Sequence, residues 1–574
     1  MRTRFAIILF CLLTVLYAVP VLENLEHLGR GDWDQAFFFQ EVPQVSVFQY
    51  HQFPFWNPYY CGGVSLIGNP QVRFFSPSIL FTSIFGVVEG VWIEYIAHIF
   101  IGLLGMYFLS HYLGVRGIST FVPSLIFMFN GAWALRFAEG HVFVFAAAYI
   151  PYVFLFFLKG IHESKGIIWA SAFLSLMFYE GGTYVFIFFV VFLLLYALFL
   201  SIQTKQARPL ILVIFLLVSV VIFTAPKLFP TLEFLNQHPR LTGAGDFVPS
   251  TQFYDFFFSK LQSVYRRFSP SSSTGWWEYG AYIGLLPFLF FMLSFKLYRK
   301  YWSLLVVSVL FFILIIGDFS RFSLWSLFHH LPVLRSMHGP WRGSLVFLFV
   351  FSLLVGLYLN TLENETLKNP LCKKYVMLGV LFIILFDLLS VTTPVLNEAF
   401  TKYKINKQSQ IKLGTSRIGR NADFLQIKMS RSEIFRYGAW SSMHHALLRN
   451  VGVVNGYEPL SVQRNAAFVG SAGYKGEFFL FPESGSVAMT HWSPNRIKFQ
   501  CEITKPTTLV VNQNFDWNWR SGSSKPIESY QGLLSVRLNP EDKTIVLYYL
   551  PVTFIAGLAV FLIGGVFIFK RFLK

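Results

Sequence analysis

Carboxylates, imidazoles and guanidinium groups gather in a few short stretches of an otherwise apolar chain. "GDWDQ" holds Asp32 and Asp34, two residues apart, just after the first long apolar run. A carboxylate there can take a proton from a hydroxyl or ligate a divalent ion. It can equally cap a helix that starts near Gln35. "RFAEGHVF" holds Arg136, Glu139 and His141 between two apolar runs. A histidine so placed can bond a phosphate or help bind metal, or can stand as an ordinary loop residue. "LFPTLEFLNQHPR" closes on Arg240, and "TGWWEYG" holds Glu278. "LRSMHGPWRGS" holds Arg335, His338 and Arg342 just before another apolar run. The planar guanidinium fork matches the oxygens of a phosphate. The alternative for Arg342 is to anchor its helix by snorkelling. "FPFWNPYYCGG" adds Trp56 and Tyr59, which suit an interfacial aromatic belt and equally a wall on which a sugar stacks.

These groups need a scaffold that holds them at one depth. The chain has 574 residues, of which 55% are hydrophobic and 19% aromatic. A soluble domain could not cover that much apolar surface. The apolar runs are continuous, which excludes an alternating β-barrel pattern. About twelve runs are long enough to span. Besides the first, kept as an uncleaved helix rather than a signal peptide, they lie near 92–113, 118–136, 141–158, 167–180, 183–202, 209–226, 281–297, 302–317, 343–361, 374–393 and 549–569. Segment 77–88 is too short to cross and reads as an interfacial or re-entrant helix.

With that count the basic loops fall on one side. Arg116, Lys159, Lys165, Lys205, Arg208, Lys296, Arg299, Lys300, Lys373, Lys374 and the terminal Lys570 share the side of Arg2 and Arg4, the cytoplasm. Much of the net charge of +17 is spread over these loops, which argues against nucleic acid as the partner. The expected fold is therefore an α-helical polytopic membrane protein with a C-terminal, extracytoplasmic, mainly β domain. Residues 1–393 form the membrane body, with outer loops 23–76 and 227–280. Residues 394–548 form the β-rich domain, from alternating runs such as "TTLVVNQNF", "GLLSVRLN" and "KTIVLYY". Residues 549–574 form a last helix and a basic cytoplasmic tail. The four cysteines show no metal-ligand spacing; whether Cys61 and Cys501, both expected outside, pair is left open.

"GDWDQ", "FPFWNPYYCGGVSLIGNPQ", "GHVFVFAAAYIPYVFLF", "LFPTLEFLNQHPR", "YIGLLPFLF", "LRSMHGPWRGSLVFLFVFSLLVGL", "NGYEPL" and "PTTLVVNQNFDWNW" occur in an order and spacing that resembles the bacterial YfhO-like membrane proteins, within the GT-C class of polytopic glycosyltransferases. The resemblance implies a GT-C fold with membrane-parallel helices and an active-site acid in the first outer loop. It implies a bacterial cytoplasmic-membrane enzyme that takes sugar from a polyprenyl-phosphate donor in the membrane and passes it to an extracytoplasmic acceptor. That acceptor would be a cell-envelope polymer or glycan such as teichoic acid. Position by position it assigns Asp32 as the acid after the glycine, Asp34 as the second carboxylate, His141 in the Gly-His pair, Arg240 at the end of its stretch, and Arg335 and Arg342 around the proline. Asn518 stands where the family commonly has glycine, which leaves the outer domain's role open.

Asp32 and Asp34 are thus the catalytic candidates. Glu139, His141, Arg240, Glu278, Arg335, His338, Arg342, Trp56 and Tyr59 are the candidates for substrate binding. No cofactor is indicated by the residues; a divalent metal is compatible with them, with no ligand set assigned. Two rivals stand beside transfer. A lipid-linked sugar transporter would show paired halves and polar mid-membrane helices. The spans here are mostly clean, with Asp318 and Asp387 near their ends. A non-catalytic assembly protein would use the 19 Lys or Arg against 11 Asp or Glu of residues 394–548 to hold acidic polymer.

Overall fold

A computed structural model describes residues 3–240, 245, 247–266, 275–320, 322–331, 334–366, 369–401, 403–404, 424–429, 443–456 and 460–572. Parts of the expected β domain, 405–423 and 430–442, lie outside the described residues, as do Tyr457, Glu458 and Pro459 of "NGYEPL".

The structure is mostly helical with a β-rich C-terminal region. Among the described residues, nine helical runs are long and apolar enough to cross a membrane. They are Thr3–Leu22, Val87–Tyr112, Gly117–Glu139, Val142–His162, Thr183–Thr204, Arg208–Gln237, Leu285–Ile316, Pro340–Asn364 and Pro370–Phe400. Lys165–Tyr179 and Val552–Ile568 are shorter apolar helices. The expected spans 281–297 and 302–317 fall in one run, jointed by a 3₁₀ turn at Phe295–Leu297 and by non-helical Tyr301. Outward faces carry large apolar side chains, such as Phe382 at 67% exposure, as lipid contact requires. The segment expected not to cross forms the seven-residue helix Ile79–Phe85. Gly86, at φ 88°, turns it into Val87–Tyr112.

The last body helix runs to Phe400, seven residues beyond the expected boundary. Its end is held by packing: Phe400 is fully buried against Trp33, Trp92 and Phe137. The same aromatic cluster seats the helix Trp33–Gln44, which carries Asp32 at its entrance.

Residues 478–549 form two four-stranded antiparallel sheets. The strands are β1 (Phe478–Phe481), β2 (Gly485–Ser493), β3 (Arg496–Ile503), β4 (Thr507–Asn514), β5 (Trp519–Ser521), β6 (Ile527–Tyr530), β7 (Leu533–Leu538) and β8 (Thr544–Tyr549). One sheet has the order β6-β7-β4-β1 and the other β5-β8-β3-β2. Period-two alternation drives the packing. In β3, Ile497, Phe499, Cys501 and Ile503 point inward while Arg496, Lys498, Gln500 and Glu502 face out. They meet Leu509, Leu534 and Val536 of the opposite sheet in one core.

Trp56, from the loop between the first two long helices, completes that core. Its ring lies 5.5 Å from Trp519 and 4.8 Å from Tyr549, and its Nε1 donates to Gln513 at 2.6 Å. Tyr59 is equally buried and donates to Asn450 at 2.9 Å. Both are buried and pin the loop to the β-rich region, and Trp56 also lines a hollow of about 220 Å³ beside the sandwich. Trp56→Phe is expected to cost about 2 kcal/mol through lost volume and a lost hydrogen bond. A lowered melting temperature of the detergent-purified protein, with unchanged expression, is the readout. Cys61 and Cys501 are both buried free thiols and do not pair.

Candidate functional site

The backbone that presents Asp32 is laid across a helix end. Helix Gly131–Glu139 stops at Gly140, whose φ of 92° is left-handed. Arg30 and Asp32 donate their N–H groups to the carbonyls of Ala138 and Glu139, at 2.8 and 2.7 Å. A Cβ on Gly140 would sit 2.6 Å from the Trp33 nitrogen, so glycine permits both the turn and the close approach. Asp32 stands at the N-terminus of Trp33–Gln44, yet its side chain makes no capping bond. Its carboxylate turns instead to His141, with Nε2 to Oδ2 at 3.3 Å. Asp32 is one-third exposed and His141 nearly buried.

Both line a cavity of about 150 Å³. Its wall brings together Arg240, His338, Arg342 and Tyr184, with Arg73 and Glu180. Of the sequence candidates, Asp32, His141, Arg240, His338 and Arg342 therefore converge. Arg342 is forked onto Glu278, with Nε to Oε2 at 2.9 Å and Nη2 to Oε1 closer still. It also lies over the Tyr184 ring at 4.4 Å. Burial alone would raise the Glu278 pKa, but Arg342, then His141, hold it well below the usual carboxylate range. Glu278 backs the wall rather than lining it. Tyr184 Oη bonds His338 Nδ1 at 2.7 Å and accepts from Arg240 Nη1 at 3.1 Å. Burial, then the charges of Arg342 and Arg240, press His338 down to about 3, so the ring is neutral. Among the described residues no carboxylate pairs with Arg240.

Other candidates do not line the cavity. Asp34 is buried, and its two oxygens accept the N–H groups of Met443 and His444 at 3.1 and 3.2 Å. It caps the short helix Met443–Leu447, not its own. Glu139 is buried beneath Gly31, close enough that a Cβ on that glycine would meet its Oε1. Arg335 is exposed. Trp56 and Tyr59 belong to the cores described above.

Burial lifts Asp34 to about 7, against the partial offset of His444 and the two N–H bonds. A carboxyl raised in the folded state stabilises below its unfolded value of 3.8 and loses that contribution as pH climbs through about 7. Asp34→Asn keeps one acceptor and is expected to flatten this pH dependence, read as melting temperature between pH 4 and 8. Asp34→Ala removes both acceptors and is expected to cost about 1–2 kcal/mol.

Arg73, Glu180 and Tyr184 were not among the residues singled out from sequence. "FYEGGTY" repeats the Glu-Gly break of "AEGH" at a second helix end, and that was the available signal. Glu94, His98 and Glu180 are the one described group close enough to hold a metal ion. Arg73 already bonds Glu94 at 2.5 and 2.9 Å and Glu180 at 3.2 Å. Its guanidinium offsets the carboxylate charge, so these residues fit a buried ion-pair network better than a resident ion.

No family model matches the chain, and no curated protein matches it. Among solved structures it is similar to the arabinofuranosyltransferase AftD from Mycobacteria, at 11% identity and a TM-score of 0.46, over 79% of this chain and 32% of that one. The chain thus spans about a third of that protein's length.

Proposed function

We propose that this multi-pass membrane protein is a glycosyltransferase of the GT-C class, YfhO-like in sequence, that moves a sugar from a polyprenyl-phosphate donor to an envelope polymer outside the bacterial cytoplasmic membrane. One observation carries the reading. A carboxylate freed from capping, Asp32, shares a small cavity with Arg240, the arginine that no described carboxylate offsets. Asp32, oriented by His141, takes the proton of the acceptor hydroxyl. The hydroxyl oxygen bonds the sugar's anomeric carbon from the face opposite the leaving group, and configuration inverts. The carbon–oxygen bond to the lipid phosphate breaks, and the phosphate leaves with the electron pair. A fixed cation in a site shielded from water stabilises that developing charge. Arg240, steadied by Tyr184, is placed to supply it, because Arg342 and Arg73 are already engaged by carboxylates.

The test is transfer from a short-chain polyprenyl-phosphate sugar to isolated envelope by protein in detergent. Arg240→Gln is expected to lower transfer ten- to a hundredfold, in keeping with about 1.5–3 kcal/mol for a charge-assisted hydrogen bond. An unchanged rate would remove Arg240 from the phosphate site.

A further inference from the structure

Two further cavities lie beside the β-sandwich, with no lining residue shared with the Asp32 cavity. One, of about 220 Å³, is lined by Gln463, Asn514, Asp516 and His238. The other, of about 440 Å³, is lined by Trp519, Arg520, Lys525 and Tyr548. Phe515, Asp516 and Trp517 line both, so the cavities adjoin across this one loop.

The loop is rigid where it matters. Phe515 N–H donates to Gly532, and Asp516 Oδ1 accepts the Asn518 N–H at 2.8 Å. Asn518 Nδ2 donates to Glu233 at 3.0 Å, and its Oδ1 accepts the Val552 N–H at 3.2 Å. Arg520 holds the carbonyls of Trp517 and Trp519. The backbone is thus fixed on every side, while the Trp517 indole stays 71% exposed. An aromatic plate held out at low entropic cost, between hollows lined by amides, a carboxylate and cations, matches a ligand whose rings have an apolar face and a hydroxylated rim. Trp56, Trp519, Pro526 and Ile527 share these walls with the hydrogen-bonding groups, so glycan and lipid headgroup are told apart by the vesicle measurement.

We propose that the Trp517 cleft binds a glycan chain, one sugar stacking on the indole and its neighbours reaching into the two hollows. That this glycan is the acceptor rests on the transfer reading above; the binding itself does not.

The experiment applies fluorescently labelled full-length protein, in detergent, to an array of bacterial envelope polysaccharides and their oligosaccharides. At least one glycan is expected to be retained. Trp517→Ala is expected to weaken that binding at least tenfold at an unchanged melting temperature, and Trp517→Phe to restore part of it. Asp32→Asn is expected to bind like the parent, which separates this site from the transfer reaction. Three outcomes overturn the proposal: no glycan retained, equal retention by Trp517→Ala, or loss by that variant of binding to phosphatidylglycerol vesicles with glycan retention unchanged.

Discussion

Asp32→Asn is expected to lower sugar transfer about 10²–10⁴-fold, the range for loss of a positioned general base. The asparagine keeps the shape of the carboxylate and a carbonyl oxygen toward His141, but it cannot hold a proton. The backbone bonds that seat the loop, from Arg30 and Asp32 to Ala138 and Glu139, do not involve the side chain. Protein yield and melting temperature should therefore stay at parental values while the rate falls. Asp34→Asn is the matched control, since its oxygens face Met443 and His444. It should retain transfer. Full activity in Asp32→Asn would end the base assignment. Loss in Asp34→Asn alone would move the assignment to the other carboxylate.

Glu278→Gln is expected to destabilise the protein by about 3–5 kcal/mol, the range for stranding one partner of a buried ion pair. Arg342 and Glu278 are both nearly buried, so the unpaired guanidinium would regain only the little water that the cavity admits. A second cation stands behind it. Arg136, fully buried, donates to the Glu278 and Trp341 carbonyls at 3.0 and 3.2 Å. Removing the carboxylate would leave two nearby guanidinium groups without the charge that offsets both. The double variant Glu278→Gln/Arg342→Met should recover much of the loss, because the stranded charge is gone. Thermal melts of the single and double variants in detergent measure the coupling. A double variant no more stable than the single one would show that the stability lies elsewhere.

The sequence was most legible where one-dimensional patterns carry the physics. Long apolar runs marked the helices, and "KTIVLYY" lies almost unchanged over β8. Asp32, His141, Arg240, His338 and Arg342 were chosen as polar residues at the ends of apolar runs, and the structure brings them to one cavity. Position along the chain was readable; the direction of a side chain was not. Trp56 and Tyr59 are buried, because residues hundreds of positions away supply their pockets. Asp34 and Asp32 differ by two positions, roughly half a turn, and that rotation sends one toward His444 and the other toward the cavity. Arg73 was hidden among aromatic and turn residues, and its partners Glu94 and Glu180 lie on two other helices. Such a network has no local signature.

The tryptophan lodged in the sandwich also sets an order of assembly. Its hydrogen-bond partner, Gln513, is 457 positions further along the chain. A nascent polypeptide exposes residue 56 early and makes its socket almost last. Until then the extended "FPFWNPYY" segment has nothing to close upon, and contacts of such long range form slowly. A chain that stops before residue 513 would leave Trp56 without Gln513, Trp519 and Tyr549 to close upon.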